Sequence, residues 1–227
     1  FMKKFHKIIF VNILIFIVLL LLSEIFFRIY FNIFLNYNTE MWKYASILKK
    51  PTDNEKLPFV HYSSKKGKFY NVEISTNSHG FRDFEYEIHK SQNHKRILIL
   101  GDSFTLGWGV PFLHTFSKKL EKNLNKSTNK FEVINAGVGN YNSTMEVELF
   151  KLHGIKFKPD LVVLMFYIND VEPIPKIISK FSYFFKSNFF LYNFFSDKYL
   201  KIKLKIDKEL EWKNYYLNIY NKQNEAL

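Results

Sequence analysis

Cysteine is absent from all 227 residues, which excludes disulfides, thiolate catalysis and any metal site built on cysteine. The compartment stays open, because a protein can lack disulfides anywhere. Histidine is present but stops early: the seven are His6, His61, His79, His89, His94, His114 and His153, so none follows Asn169. Chemistry that needs an imidazole late in the chain has no residue for it here. Acidic side chains are scarce too, 21 against 33 Lys and Arg, for a formal charge of +12. That excess fits an anionic partner, nucleic acid or membrane, and fits equally the bias of AT-rich coding, since Lys, Asn, Ile, Phe and Tyr all abound. At 47% hydrophobic the chain can build one core of ordinary size and carry extensions.

The first extension is an apolar run. Residues 8–23 carry no charge and follow Lys3, Lys4 and Lys7. At about 1.5 Å per residue they span about 24 Å of a roughly 30 Å hydrocarbon core, and Ile25, Phe26 and Phe27 continue the run past Glu24. Glu24 and Arg28 stand four apart and can pair on one helix face at the headgroup level. No small-x-small cleavage site follows, and the first alanine is Ala45; an uncleaved anchor over 8–30 is therefore expected rather than a signal peptide. Lysines before the span place residues 1–7 in the cytoplasm and the rest outside it, in a single-pass arrangement across the inner or cytoplasmic membrane.

Residues 31–75 read as a linker and N-terminal extension, broken by Pro51, Asp53, Asn54 and Pro58, with a short strand at 69–75. Asn77 to Asp83 reads as a turn with no chemistry of its own. From Lys95 the pattern alternates. An apolar strand at 96–100 precedes a helix near 115–126, whose Phe116, Leu120 and Leu124 are four apart; a strand at 131–135 follows. Ser143 to Glu146 has capping-box spacing for a second helix through Leu149 and Leu152, with Gly154 as its stop, and a strand runs over 161–167. Strands without polar alternation, separated by helices, predict a parallel sheet buried on both faces, with ligands outside the carboxyl ends of its strands.

Three motifs fall at those ends. Gly101-Asp102-Ser103 presents a hydroxyl where a buried strand opens into a turn. Asn135-Ala136-Gly137-Val138-Gly139-Asn140-Tyr141 follows the second strand, and Tyr167-Ile168-Asn169-Asp170 the third. A dinucleotide turn at Gly137-Val138-Gly139 is excluded by the missing third glycine and acidic partner. No cofactor or metal is called for. In order and at strand ends, the three blocks resemble the SGNH, or GDSL, hydrolase family over roughly residues 77–170.

The resemblance implies a three-layer α/β/α flavodoxin-like sandwich over 76–227. It makes Ser103 the nucleophile and assigns the oxyanion hole to Ser103, Asn169 and a backbone N–H at Gly139 or Asn140. Tyr167 replaces the family's glycine in the third block. The fourth block, Asp-x-x-His, has no match: Asp197 is followed by Leu200 and Asp207 by Leu210. A serine hydroxyl needs an adjacent base, so the chain alone is expected to be inactive. Phe1 ahead of Met2, and an end inside a helical pattern at Gln223 to Leu227, suggest a partial reading frame. The implied activity is hydrolysis or transfer of acyl esters, O-acetyl groups among them, on cell-surface carbohydrate or lipid. A catalytically inactive module that binds an acylated glycan or lipid is the alternative.

Residues 176–208 hold eight lysines against Asp197 and Asp207 among many aromatics. They suit a helical hairpin whose aromatics complete the core, a helical insertion beside the active site, an interfacial amphipathic element near the anchor, or a nucleic-acid patch. Extracytoplasmic placement disfavours the last, so no nucleic-acid partner is expected.

Overall fold

The computed structural model describes residues 2–126, 130–175, 180–207 and 212–224. In chain order the elements are α1 (Met2–Ile33), α2 (Tyr37–Leu48), β1 (Lys49–Pro51), β2 (Phe59–His61), β3 (Lys66–Phe69), β4 (Val72–Ser75), β5 (His94–Leu100), α3 (Ser103–Leu106), α4 (Phe116–Leu124), β6 (Lys130–Asn135), α5 (Ser143–Leu149), β7 (Leu161–Leu164), α6 (Lys180–Asn188), α7 (Phe190–Ile206) and α8 (Trp212–Asn224). They form two compact units: Phe1–Trp42 with Ile178–Lys208, and Lys43–Ile177 with Glu209–Leu227. Lys176 to Ser179, Lys208, Leu210 and the last three residues lie outside the described set.

In the first unit, Lys4–Ile33 of α1 is long and apolar enough to cross a membrane, and no residue of its most apolar window is buried. Glu24 and Arg28 pair at 3.0 Å. The basic-aromatic run forms α6 and α7, and α7 packs on α1 through Phe194 against Phe27, with ring centres 4.4 Å apart.

The second unit is mixed α/β around a parallel three-stranded sheet of order β6-β5-β7. Leu98 and Leu100 of β5 and Ile134 of β6 face one side, packing with Met145 and Leu149 of α5 and with Leu57, Val60 and Phe81 from upstream. Ile97, Ile99 and Val133 face the other side, against Leu124 of α4. The chain leaves β5 toward β6 by way of α4, then crosses back through α5 to β7 on the other flank. The carboxyl end of β5 is therefore the switch point of the sheet, where ligands of such folds sit.

Several local expectations change. β7 is an edge strand with Leu161, Val162 and Leu164 exposed, so burial on both faces holds for β5 and not for β7. It also ends at Leu164, short of 167. Phe116 and Leu120 are exposed, and α4 buries Ser117 and Lys118 instead. The Lys118 ammonium makes this possible by bonding Asp83 at 2.5 Å, Glu121 at 2.6 Å and the Val133 carbonyl at 2.8 Å. Asn142, not Ser143, caps α5, accepting the Met145 N–H at 3.0 Å. Helical turns pass Gly154 and stop at Lys158, in the left-handed region at φ 47°. Residues read as linker hold α2 and two antiparallel hairpins, β1–β2 and β3–β4. Tyr70 and Asn71, both at positive φ, make the two-residue turn of the second.

Candidate active site

Ser103 opens α3 directly after β5. The buried Asp102 caps the helix, its carboxylate accepting the Phe104 N–H at 2.8 Å. The Ser103 hydroxyl and backbone N–H make no hydrogen bond among the described residues, and the side chain is half-buried. α3 closes on Gly107 at φ 79°, whose N–H bonds the Ser103 and Phe104 carbonyls. The buried Arg82 guanidinium fixes that end, donating to the carbonyls of Leu106 at 2.8 Å, Gly107 at 2.7 Å and Val110 at 2.8 Å. The turn at 77–83, without chemistry of its own, thus holds the serine turn.

The second strand end lies against α3. Asn135 donates to the Thr105 carbonyl at 2.7 Å and accepts the Gly137 N–H at 3.0 Å. A Cβ on Gly137 would sit 2.3 Å from the Leu106 nitrogen, so only glycine permits this approach. Beyond it, the Gly139 peptide is gripped from both sides. Its N–H donates to the Tyr44 hydroxyl at 2.9 Å, and its carbonyl accepts from Lys49 Nζ at 2.6 Å, which also reaches Asn140 Oδ1 at 3.1 Å.

The protons in this grip follow from geometry. His61 Nδ1 lies 3.0 Å from the Gly80 carbonyl, which can only accept, so Nδ1 carries the hydrogen. Burial, with Lys49 nearby, pushes the imidazole down to about 3, so the ring is neutral. Its Nε2 then accepts from the Tyr44 hydroxyl, 2.5 Å away. Burial raises that hydroxyl far above its usual range and drops the Lys49 amine to about 7. Lys49 also rests over the Phe59 ring at 4.1 Å. Of the two backbone candidates, Gly139 has its N–H committed to Tyr44. The N–H of Asn140, in the left-handed region at φ 64°, makes no hydrogen bond among the described residues.

Asn169 lies on the 3-10 turn Ile168–Val171 after β7, its amide 3.5 Å from the Tyr141 carbonyl. The Tyr167 ring packs 4.3 Å from that of Phe104 on α3. Phe104 and Tyr167 therefore bring the first and third blocks together. Glu146 of α5 is fully buried, with neither carboxyl oxygen hydrogen-bonded among the described residues. Burial, reinforced by the charges of Asp170 and Asp102, pushes it up to about 8, so it holds its proton at neutral pH.

No histidine bonds Ser103 among the described residues. His114 is exposed on the turn Phe112–His114. His153 lines a cleft of about 150 Å³ with Lys50, His61, His79 and Lys156, and Ser103, Asn140 and Asn169 are not among its lining residues. Among the described residues no group of three or more His, Asp or Glu is placed to hold a metal ion. Sequence reasoning missed Tyr44, Lys49, His61, Arg82 and Glu146. A signal existed only for Arg82, a lone arginine in a turn rich in Asn and Gly. No family model matches the chain, and no curated protein matches it.

Proposed function

We propose that this chain is a membrane-anchored serine esterase or acyltransferase of SGNH type, built on a three-layer α/β/α flavodoxin-like domain and facing away from the cytoplasm. The observation that carries this reading is the Ser103 hydroxyl at the switch point of a parallel sheet, without a hydrogen-bond partner among the described residues, with the backbone N–H groups of Ser103 and of Asn140, on the loop after the neighbouring strand, equally without partners there. Ser103 Oγ attacks an acyl carbonyl as its proton passes to a base. The tetrahedral oxyanion is met by the N–H groups of Ser103 and Asn140 and by the Asn169 amide. Collapse expels the alcohol and leaves an acyl-serine, which water or a second hydroxyl then cleaves. Substrates of this class are acyl esters, O-acetyl groups among them, of cell-surface carbohydrate or lipid; the membrane is met through α1.

The base is the missing part. With no imidazole on Ser103, residues 1–227 alone are expected to turn over a small acetyl ester at background rate. Where the reading frame continues into an Asp-x-x-His block, the extended protein should hydrolyse that ester, and Ser103→Ala should abolish turnover. Asn169→Ala should cost roughly two to three powers of ten, as for one oxyanion donor. An active extended protein indifferent to Ser103→Ala would end the serine mechanism. Retention of acetylated glycan without turnover would make the site a binding module instead.

A further inference from the structure

The first unit offers a second surface, on α7. Its N-terminus is fastened to the end of the apolar stretch: the Glu24 carboxylate accepts the backbone N–H groups of Phe190 at 3.0 Å and Leu191 at 2.9 Å. These are donors that a helix N-terminus leaves without internal partners, at the positive end of its dipole. Arg28 donates to the Asn188 carbonyl at 2.7 Å and lies over the Phe190 ring at 5.1 Å. Both charges at the end of the anchor are thus engaged by α7, which leaves α1 where apolar residues give way to polar ones.

Away from α1, the helix carries Tyr192, Phe195, Tyr199, Ile202 and Ile206, spaced three, four, three and four apart. That spacing lines one helical face. Tyr192 meets the Phe185 ring of α6 at 5.8 Å, but the other four are between 57% and 79% exposed, too much for a stripe that packs on its own fold. Lys198, Lys201 and Lys205 each stand one residue before a member of the stripe, so they border it on one flank, all exposed. The acid of α7, Asp197, is taken up by Lys201 at 3.2 Å and by Asn38.

We propose that α7 lies on the anionic lipid surface from which α1 emerges, with Phe195, Tyr199 and Ile202 among the acyl chains and Lys198, Lys201 and Lys205 at phosphate level. A second copy of the chain is the competing occupant of a three-four stripe. Two copies of α7 would bring lysine rows together with no free carboxylate to answer them, whereas anionic headgroups supply the counter-charge. Continuity with α1 fixes the helix at the bilayer edge, which lowers the entropy lost on docking. The inference rests on α1 spanning a membrane.

Because the chain has no cysteine, single cysteines can be labelled cleanly. The full chain is reconstituted in nanodiscs, either zwitterionic or rich in phosphatidylglycerol. An environment-sensitive fluorophore is placed at Phe195→Cys or Ile202→Cys, with Ile15→Cys as span control and Lys119→Cys as solvent control. In anionic discs the labels at 195 and 202 should shift to the blue and be quenched by brominated acyl chains. Raised salt, zwitterionic discs or Lys198, Lys201 and Lys205→Gln together should move both toward the solvent control. A lipid-buried label at 15 with labels at 195 and 202 matching 119 in every disc overturns the α7 inference alone. A solvent-exposed label at 15 overturns the anchor. Cross-linking between copies through Tyr199→Cys, with labels shielded from brominated lipid, gives the stripe to a second copy.

Discussion

Glu146 holds a proton that water would take from it. In the unfolded chain its carboxyl ionises near its ordinary 4.5, while in the fold burial among Asp170 and Asp102 delays ionisation to about 8. Between those values the native state binds one more proton than the unfolded state, so its contribution to stability is complete below 4.5 and is lost as pH rises toward 8. Glu146→Gln replaces the carboxyl O–H with an N–H donor of similar shape and removes the titration. The variant should therefore gain little at pH 5 and melt several degrees higher at pH 8, where about 1 kcal/mol corresponds to roughly 2–4 °C for a domain of this size. Thermal scans at the two pH values check this, and an equal shift at both would show that Glu146 is ionised in the fold. Asp170 Oδ1, on the turn that α5 packs against, is likewise without a hydrogen-bond partner among the described residues, and the Asp170 charge is one of the causes that hold the proton on Glu146.

At the scale of elements, the loop after β6 owes its shape to α2, β1 and β2. Tyr44 relays a hydrogen bond from the Gly139 N–H to His61, and Lys49 holds the same peptide by its carbonyl. Tyr44→Phe keeps the ring and removes the hydroxyl, leaving a buried N–H and a buried ring nitrogen without partners, at a cost of about 1–3 kcal/mol each. Hydrogen exchange reads the assignment directly. The Gly139 amide should be protected in the natural chain and lose protection in Tyr44→Phe, while the Asn140 amide exchanges fast in both. A fast Gly139 amide in the natural chain would return the backbone donor to Gly139. The strands at 96–100 and 131–135 and the order of the three blocks were legible in the sequence, because a buried strand needs an uninterrupted apolar run and a turn needs Gly, Asn or Asp. The grip on the loop was not. Tyr44 and Lys49 act on Gly139 across about ninety residues, and local periodicity carries no trace of a contact at that separation. Nor does composition reveal that the buried face of α4 is polar, since Lys118 is tolerable only where Asp83 and Glu121 converge on it. Ser143 and Glu146 have the right spacing for a capping box, yet Asn142 makes the better cap and frees Glu146 to sink into the core.

At the scale of the molecule, the anchor and the serine domain are separate units joined through the residues around Trp42 and those on either side of 178–208. Under the function proposed above, the orientation of α1 decides on which side of a membrane Ser103 lies. Lys3, Lys4 and Lys7 precede the apolar stretch, and Arg28, the basic residue close behind it, pairs with Glu24, so the charge bias across the helix is stronger than a count of residues gives. By the positive-inside rule residues 1–7 are expected in the cytoplasm, and the function proposed above then requires Ser103 to lie outside it. The absence of cysteine again permits a direct measurement. In intact cells, Lys119→Cys, exposed on α4, should react with a membrane-impermeant maleimide, and Lys4→Cys should react only after permeabilisation. The reverse pattern would put Ser103 in the cytoplasm and remove cell-surface polysaccharide and outer-leaflet lipid as substrates, whatever the serine does. Labelling of both sites in intact cells would mean that α1 does not span, and the lipid contact inferred for α7, which rests on that span, would fall with it.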